Sequence, residues 1–264
     1  RNIALVIASL LTSFLLVTNQ KISIHEDFIF EIKPGSSLHE VANELNERDL
    51  ILSSFIFKLN AKIHNIDQSI KAGEYLLSTS ESVFTLQRKF IEGKFFYRKL
   101  QLLEGMTTRD ILNLSKSEGI VDDIDNDLEK LKLKLDINGQ TEGLFFPDTF
   151  YYQKGDLFSS LLKRAFKKQQ TVYFDLWQLR QEDLPYSSLI EAITLASIIE
   201  KEGLEKEMIA GVFINRLRKN MKLQSDPTVI YALGSRFDGN ITRSHLRIDN
   251  PYNTYRHKGL PPGP

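Results

Sequence analysis

The sequence contains no cysteine. A disulfide framework, a thiol nucleophile and thiolate metal sites are therefore excluded, while the compartment stays open. Excess charge of either sign is also missing. The 34 basic residues equal the 34 acidic ones, so no global field draws the chain to nucleic acid. The 5 histidines, His25, His39, His64, His245 and His257, are scattered, and no two have the spacing of a helical metal pair. No metal is expected. A glycine-rich phosphate loop is absent as well, which argues against a bound nucleotide or pyridoxal phosphate, and no cofactor of any kind is expected.

What the chain does have begins at its N-terminus. Residues 2–20 carry no charge, and residues 3–17 are almost continuously apolar. A full span takes roughly 20 apolar residues, with about 17 near the lower limit, and a secretory apolar core is shorter, about 7–15 residues. No small-residue cleavage site follows. The alternatives are a buried core helix, which can be apolar all round, and an uncleaved anchor. The anchor is the better reading, and residues 1–20 are expected to be a single membrane span. The chain begins at Arg1 instead of Met, so native residues are expected upstream.

Beyond the anchor, residues 22–32 alternate loosely as a strand. Pro34, Gly35, Ser36 and Ser37 make a turn and helix cap, with Glu40 completing a capping box. Further helices are expected over residues 53–63 and 82–92, with a strand at 71–77 between them. The opening pattern then returns. Residues 98–103 are strand-like, and Gly105, Thr107, Asp110 and Ile111 match Gly35, Ser37, Glu40 and Val41 at an offset of 70. This is either an internal duplication or the common look of any strand-turn-helix unit. Residues 121–135 read as a solvated helix face or linker. Long helices are expected over 156–180, 188–202 and 206–222, and the last forty residues read as loop. The fold class is α+β. It comprises the anchor, a small α/β subdomain over residues 21–97 and a mixed domain over residues 98–264.

The sharpest chemical signal lies in residues 188–202. Residues three, four and seven apart share a helix face, and counting back from Glu200 those are Ser197, Ala196 and Ile193. Glu200 thus sits among small and apolar residues, whereas Glu191 and Glu202 fall on the polar side. A carboxyl group held beside apolar surface retains its proton, which a general acid requires. The alternative is a boundary glutamate paired with a neighbouring arginine, and Arg216 is the candidate partner.

Five motifs occur in order: Glu-Gly-Leu-Phe-Phe-Pro-Asp-Thr-Phe at 142–150, Leu-Ala-Ser-Ile-Ile-Glu-Lys-Glu at 195–202, Val-Phe-Ile-Asn-Arg-Leu at 212–217, Leu-Gln-Ser-Asp-Pro-Thr-Val-Ile-Tyr at 223–231, and Tyr-Asn-Thr-Tyr at 252–255 running on to Gly-Leu-Pro-Pro-Gly at 259–263. Together they resemble the YceG-like endolytic murein transglycosylases. The resemblance implies a lytic transglycosylase that cleaves the MurNAc-GlcNAc bond of nascent peptidoglycan and leaves 1,6-anhydro ends, with Glu200 as its single catalytic acid and base. It also implies a lysin-motif-like fold for residues 21–97, a place on the outer side of the inner (plasma) membrane, and penicillin-binding wall synthases as partners. Family members continue past the Pro-Pro-Gly motif, so the catalytic domain is expected to extend beyond Pro264. Glu142, Asp148, Gln224, Asp226, Asn253 and Tyr255 are the candidate substrate contacts. Turn and cap chemistry offers a plainer reading of Glu142 and Asp226. Tyr252 and Tyr255 are the better stacking candidates because they sit in a loop. A non-catalytic wall-binding scaffold is the main rival, since it would need no inward glutamate at position 200. A hydrolase on the same bond is a further rival, separable by its products.

Overall fold

In a computed structural model the described residues are Leu5, Thr12, 21–63 and 70–264. Apart from Leu5 and Thr12, the expected anchor lies outside them. Among the described residues no helix is long and apolar enough to cross a membrane. The described residues combine helices with two two-stranded sheets, and the chain divides into two compact units. One takes Arg1–Arg98 with Tyr151–Gly155, the other Lys99–Phe150 with Asp156–Pro264.

The first unit runs β1 (Phe28–Ile32), α1 (Leu38–Glu47), α2 (Ser54–Ile63), β2 (Gly73–Leu77) and α3 (Val83–Glu92). Strand β1 pairs antiparallel with β2, setting Phe30 opposite Tyr75 and Ile32 opposite Gly73. Residues 22–27 stay outside the strand because Ser23 donates its backbone N–H to the Leu50 carbonyl at 3.0 Å. Alternation in β1 and β2 sends Phe30, Ile32, Tyr75 and Leu77 into a core with Leu45, Phe57, Leu86 and Phe90. Full burial of such side chains stabilises by about 1.5–3 kcal/mol each. Tyr75 meets Phe90 edge-on at 4.8 Å and donates its hydroxyl to the Lys71 carbonyl at 2.7 Å, so its one polar atom is satisfied. The buried amides of Asn60 and Gln87 bond each other at 2.7 Å. Gln87 in turn donates to the Phe57 carbonyl.

The chain then forms β3 (Arg98–Gln101), α4 (Thr108–Asn113), α5 (Leu128–Leu135), β4 (Thr149–Tyr152), α6 (Phe158–Gln178), α7 (Leu189–Glu202), α8 (Lys206–Arg218) and α9 (Asp226–Leu233). Strands β3 and β4 form the second sheet, and these helices all belong to the second unit, whereas Arg98 of β3 and Tyr151–Tyr152 of β4 count with the first. Residues 121–135 are more than a linker. Asp127 caps α5 by accepting from Glu129 and Lys130 N–H, and Ile124, Leu131 and Leu135 are buried. The last forty residues are less irregular than the sequence implied, because Asp226 and Pro227 open α9, with proline in the first turn, where its missing N–H costs nothing. Apolar faces of α7 and α8 meet through Leu195, Ile198 and Phe213, joined by Leu223.

A candidate active-site cavity

Helix α7 is set by its ends. Ser188 accepts from the Glu191 N–H while Glu191 accepts from the Ser188 N–H, a complete capping box. The Ser187 N–H also donates to Glu191 at 2.8 Å, and this bond is the main reason the Glu191 carboxyl is held below its usual range. From this fixed start, Ala192, Ile193, Ala196, Ser197 and Glu200 fall on one face and line a cavity of about 740 Å³. Alanine and serine leave the space that larger side chains would fill. The remaining walls come from α6 (Tyr173, Leu176, Trp177), the first turn of α4, the loop at Glu142, α9 with Tyr231, and Tyr252 with the Pro261 loop.

Glu200 is 39% exposed and forms an ion pair with Lys206, whose Nζ lies 2.9 Å from Oε2 and also donates to the Glu200 backbone carbonyl at 2.8 Å. The partner is therefore not Arg216, which donates to the Leu223 carbonyl instead. Chain connectivity explains the difference. Lys206 is the first residue of α8 and returns at once to the end of α7, whereas Arg216 lies near the far end of α8, beside the loop that follows.

The same cavity holds a second carboxylate. Glu142 Oε2 accepts from the Thr108 N–H at 2.8 Å and from the Thr108 hydroxyl at 3.1 Å, and Oε1 accepts from the Tyr231 hydroxyl at 3.4 Å. Burial raises the Glu142 carboxyl above its ordinary range, although the Thr108 bonds oppose the rise. Tyr231 packs on Tyr252 at 4.8 Å. Both phenols are pushed up, chiefly by burial and next by the Glu142 charge. Gly143, beside Glu142, has a φ of +72°, and a Cβ there would lie 3.0 Å from Ile193 and 2.7 Å from Pro264. No other residue type fits that turn without strain.

Of the residues singled out from sequence, the cavity brings together Glu200, Glu142 and the stacking candidate Tyr252. The others hold the surrounding loops. Asp148 forms an ion pair with Lys168 and accepts from the Thr149 N–H, and Lys168 is the main reason its carboxyl is lowered. Gln224 has a positive φ of 52° and donates its N–H to the Thr254 carbonyl. Asp226 accepts from the Tyr255 hydroxyl at 2.7 Å, and that phenol is pushed up to about 12 by burial and then by this bond. Asn253 is fully buried and donates to the Leu246 and Ile248 carbonyls at 3.2 and 2.8 Å. Thr254 bonds the Ser225 N–H and the Thr228 hydroxyl at 2.9 Å each, fixing the start of α9 so that Tyr231 reaches Glu142. Sequence reasoning missed Lys206, Thr108, Tyr231 and Trp177. Of these Trp177 carried a signal as the single tryptophan of the chain, and Tyr231 as the last residue of the 223–231 motif.

Comparison with known proteins gives concordant matches. The model of the YceG-like family matches residues 30–264. An endolytic murein transglycosylase of Bacillus subtilis is 30% identical over 261 residues, covering 88% of this chain and 70% of that protein. One from Streptococcus pneumoniae is 28% identical over 275 residues, again covering 88% of this chain but about half (49%) of the relative. A crystal structure of a putative yceG-like protein from Listeria monocytogenes is 30% identical, covers 90% of this chain and 86% of its own, and superposes with a TM-score of 0.49.

Proposed function

The chain belongs to the YceG-like family, and from that membership we propose that it is an endolytic lytic transglycosylase of peptidoglycan with Glu200 as its catalytic acid and base. The observation that supports the residue assignment is the cavity face of α7, where Glu200 lines the open space together with Ala196 and Ser197. In the first step the Glu200 carboxyl gives its proton to the glycosidic oxygen, and the bond from that oxygen to C1 of N-acetylmuramic acid breaks. In the second step the C6 hydroxyl of the same sugar attacks C1, and its proton passes to the Glu200 carboxylate. The product is a 1,6-anhydro end, and the enzyme returns to its starting state. The substrate supplies its own nucleophile, so one carboxyl group suffices where ordinary glycosidases use two.

Lys206 is the positioning residue for this chemistry: its ammonium holds the backbone carbonyl of Glu200 and pairs with the carboxylate that the first proton transfer leaves, the form that accepts the C6 hydroxyl proton in the second step. Glu142, held by Thr108 and Tyr231, is assigned to substrate contact, and Tyr252 supplies an aromatic face beside it. Asp148, Gln224, Asp226, Asn253 and Tyr255 support the cleft through the loops they tie down, and a sugar chain that extends past the cavity would meet the exposed ones first. The wider organisation proposed here is an N-terminal membrane anchor in residues 1–20, a lysin-motif-like subdomain over residues 21–97 and a catalytic domain from residue 98 onward, facing the wall. Penicillin-binding wall synthases are the proposed partners, with co-purification from detergent-solubilised membranes as the test.

The presence of Glu142 in the same cavity gives the hydrolase reading its one specific support, because acid and base carboxylates together would activate water. Mass analysis of the products separates the two. Long uncrosslinked glycan incubated with the protein is expected to yield 1,6-anhydro ends, and Glu200→Gln is expected to yield about 10²–10⁴-fold fewer. Ends heavier by one water would make the protein a hydrolase. Cleavage by Glu200→Gln at the wild-type rate would remove Glu200 from the mechanism, and no cleavage by folded wild type would leave a wall-binding scaffold.

A further inference from the structure

Among the described residues, helix α2 of the first unit buries one side and leaves the other without a partner. At about 3.6 residues per turn, Phe57, Asn60 and Ala61 face the core. Phe55, Leu59 and Ile63 form a stripe on the opposite side, 68%, 37% and 55% exposed, and Leu52 just before the helix adds another apolar side chain, 65% exposed. Lys58 and Lys62 run along one edge of this stripe, Lys62 exposed and Lys58 half-buried with its Nζ 3.1 Å from His39 Nδ1, and α2 carries no acidic residue. Isolated exposed apolar residues need no explanation, but a contiguous stripe bordered by cations on an otherwise well-filled unit does.

Two observations indicate what covers it. The uncharged run at residues 3–17 leads directly into Lys21. Lys21 bridges Ser82, and together with Ser23 it shares a small cleft with Leu50, Leu52 and Ser53. The chain therefore enters the first unit beside the start of the stripe. The second observation is chemical. Large apolar side chains with flanking lysines are the composition of a helix that lies in a membrane interface, its apolar face in the acyl boundary and its cations at anionic headgroups.

We propose that the outer face of α2 docks on the anionic surface of the bilayer, with Leu52, Phe55, Leu59 and Ile63 in the interface. This rests on the anchor reading for the origin of the membrane, but it concerns a different segment and has its own readout. Docking holds the first unit against the headgroups.

The absence of cysteine makes the test direct, because a single introduced cysteine is the only thiol in the chain. Full chain carrying Phe55→Cys or Leu59→Cys, with Lys94→Cys and Leu133→Cys as controls, is labelled with an environment-sensitive dye. It is then reconstituted into vesicles of phosphatidylglycerol and phosphatidylethanolamine. Lipids brominated along their acyl chains are expected to quench labels at 55 and 59 about twofold or more beyond the controls. Quenching at 55 and 59 no greater than at the controls, in protein that stays with the vesicles, would overturn docking and leave the anchor untouched. Strong quenching at neutral pH in protein that an alkaline wash then releases would support docking and remove the anchor. Protein that never associates with the vesicles would overturn both.

Discussion

At Gly35 and again at Gly105 the backbone turns through a positive φ, 84° and 73°, and two residues later a capping box starts a helix. Ser37 and Glu40 make the first box, Thr107 and Asp110 the second, with matching dihedrals at the cap (φ −78° and −77°). The first helical residue then separates the two. In α1 it is Leu38, which packs on the core of the first unit. In α4 it is Thr108, whose N–H and hydroxyl both bind Glu142 on the wall of the cavity. One local plan thus serves packing in one place and a polar site in the other. The difference teaches that a helix start supplies spare donors wherever it occurs, and that the side chain at the first position decides whether a ligand-facing group can use them.

The strongest way to break this comparison is to ask whether only the second unit does chemistry. Glu200→Gln is expected to lower glycan cleavage by about 10²–10⁴-fold, read by the release of new ends, while Leu38→Thr leaves cleavage per folded molecule unchanged. Next in size is the swap that gives the second helix the first one's residue. Thr108→Leu removes the hydroxyl donor from a buried carboxylate and is expected to cost about 1–3 kcal/mol, measured by denaturant unfolding. An unchanged midpoint would mean that Glu142 does not depend on Thr108. Smaller still are the caps themselves. Ser37→Ala and Thr107→Ala should each cost about 1 kcal/mol, and markedly unequal losses would show that the two boxes are alike in shape only.

The smallest effect concerns pH. The folded-state pKa of Glu142 lies above its unfolded value, so the folded state binds the proton more tightly and stability falls as pH rises from the unfolded pKa through the folded one. Glu142→Gln should abolish that fall. Comparing the unfolding midpoints of the two proteins upward from about pH 4 checks the sign, and a wild-type midpoint that rises relative to Glu142→Gln would contradict it.

Most helix starts were legible because capping is local. Ser37 and Thr107 each announce a helix through a partner three residues on. The face of α7 that bears Glu200 followed from periodicity alone. What periodicity could not provide was the other side of the cavity. Glu142 reaches Tyr231 across 89 residues and Thr108 across 34, and no local pattern encodes such a meeting. Under the alternative reading of Glu200 as a paired boundary glutamate, Arg216 was the candidate partner because it lies on the same face of its helix as Ile209, Val212 and Phe213. Lys206 takes the place because the connection between α7 and α8 is only three residues long. Helix α9 was hidden for the opposite reason, since its Asp-Pro start and short length look like turn chemistry.

Trp177 lies on the cavity wall, stacked on Tyr186 at 6.4 Å, with the Arg180 guanidinium 4.1 Å from its ring. Because the chain has no second tryptophan, all of its indole emission originates at that wall. Nature has thus placed a built-in optical probe where a saccharide would enter, quenched or brightened as the guanidinium and the solvent around it rearrange. A titration in a fluorimeter, with no label and no coupled assay, can follow occupancy of the cavity even in variants that no longer cut.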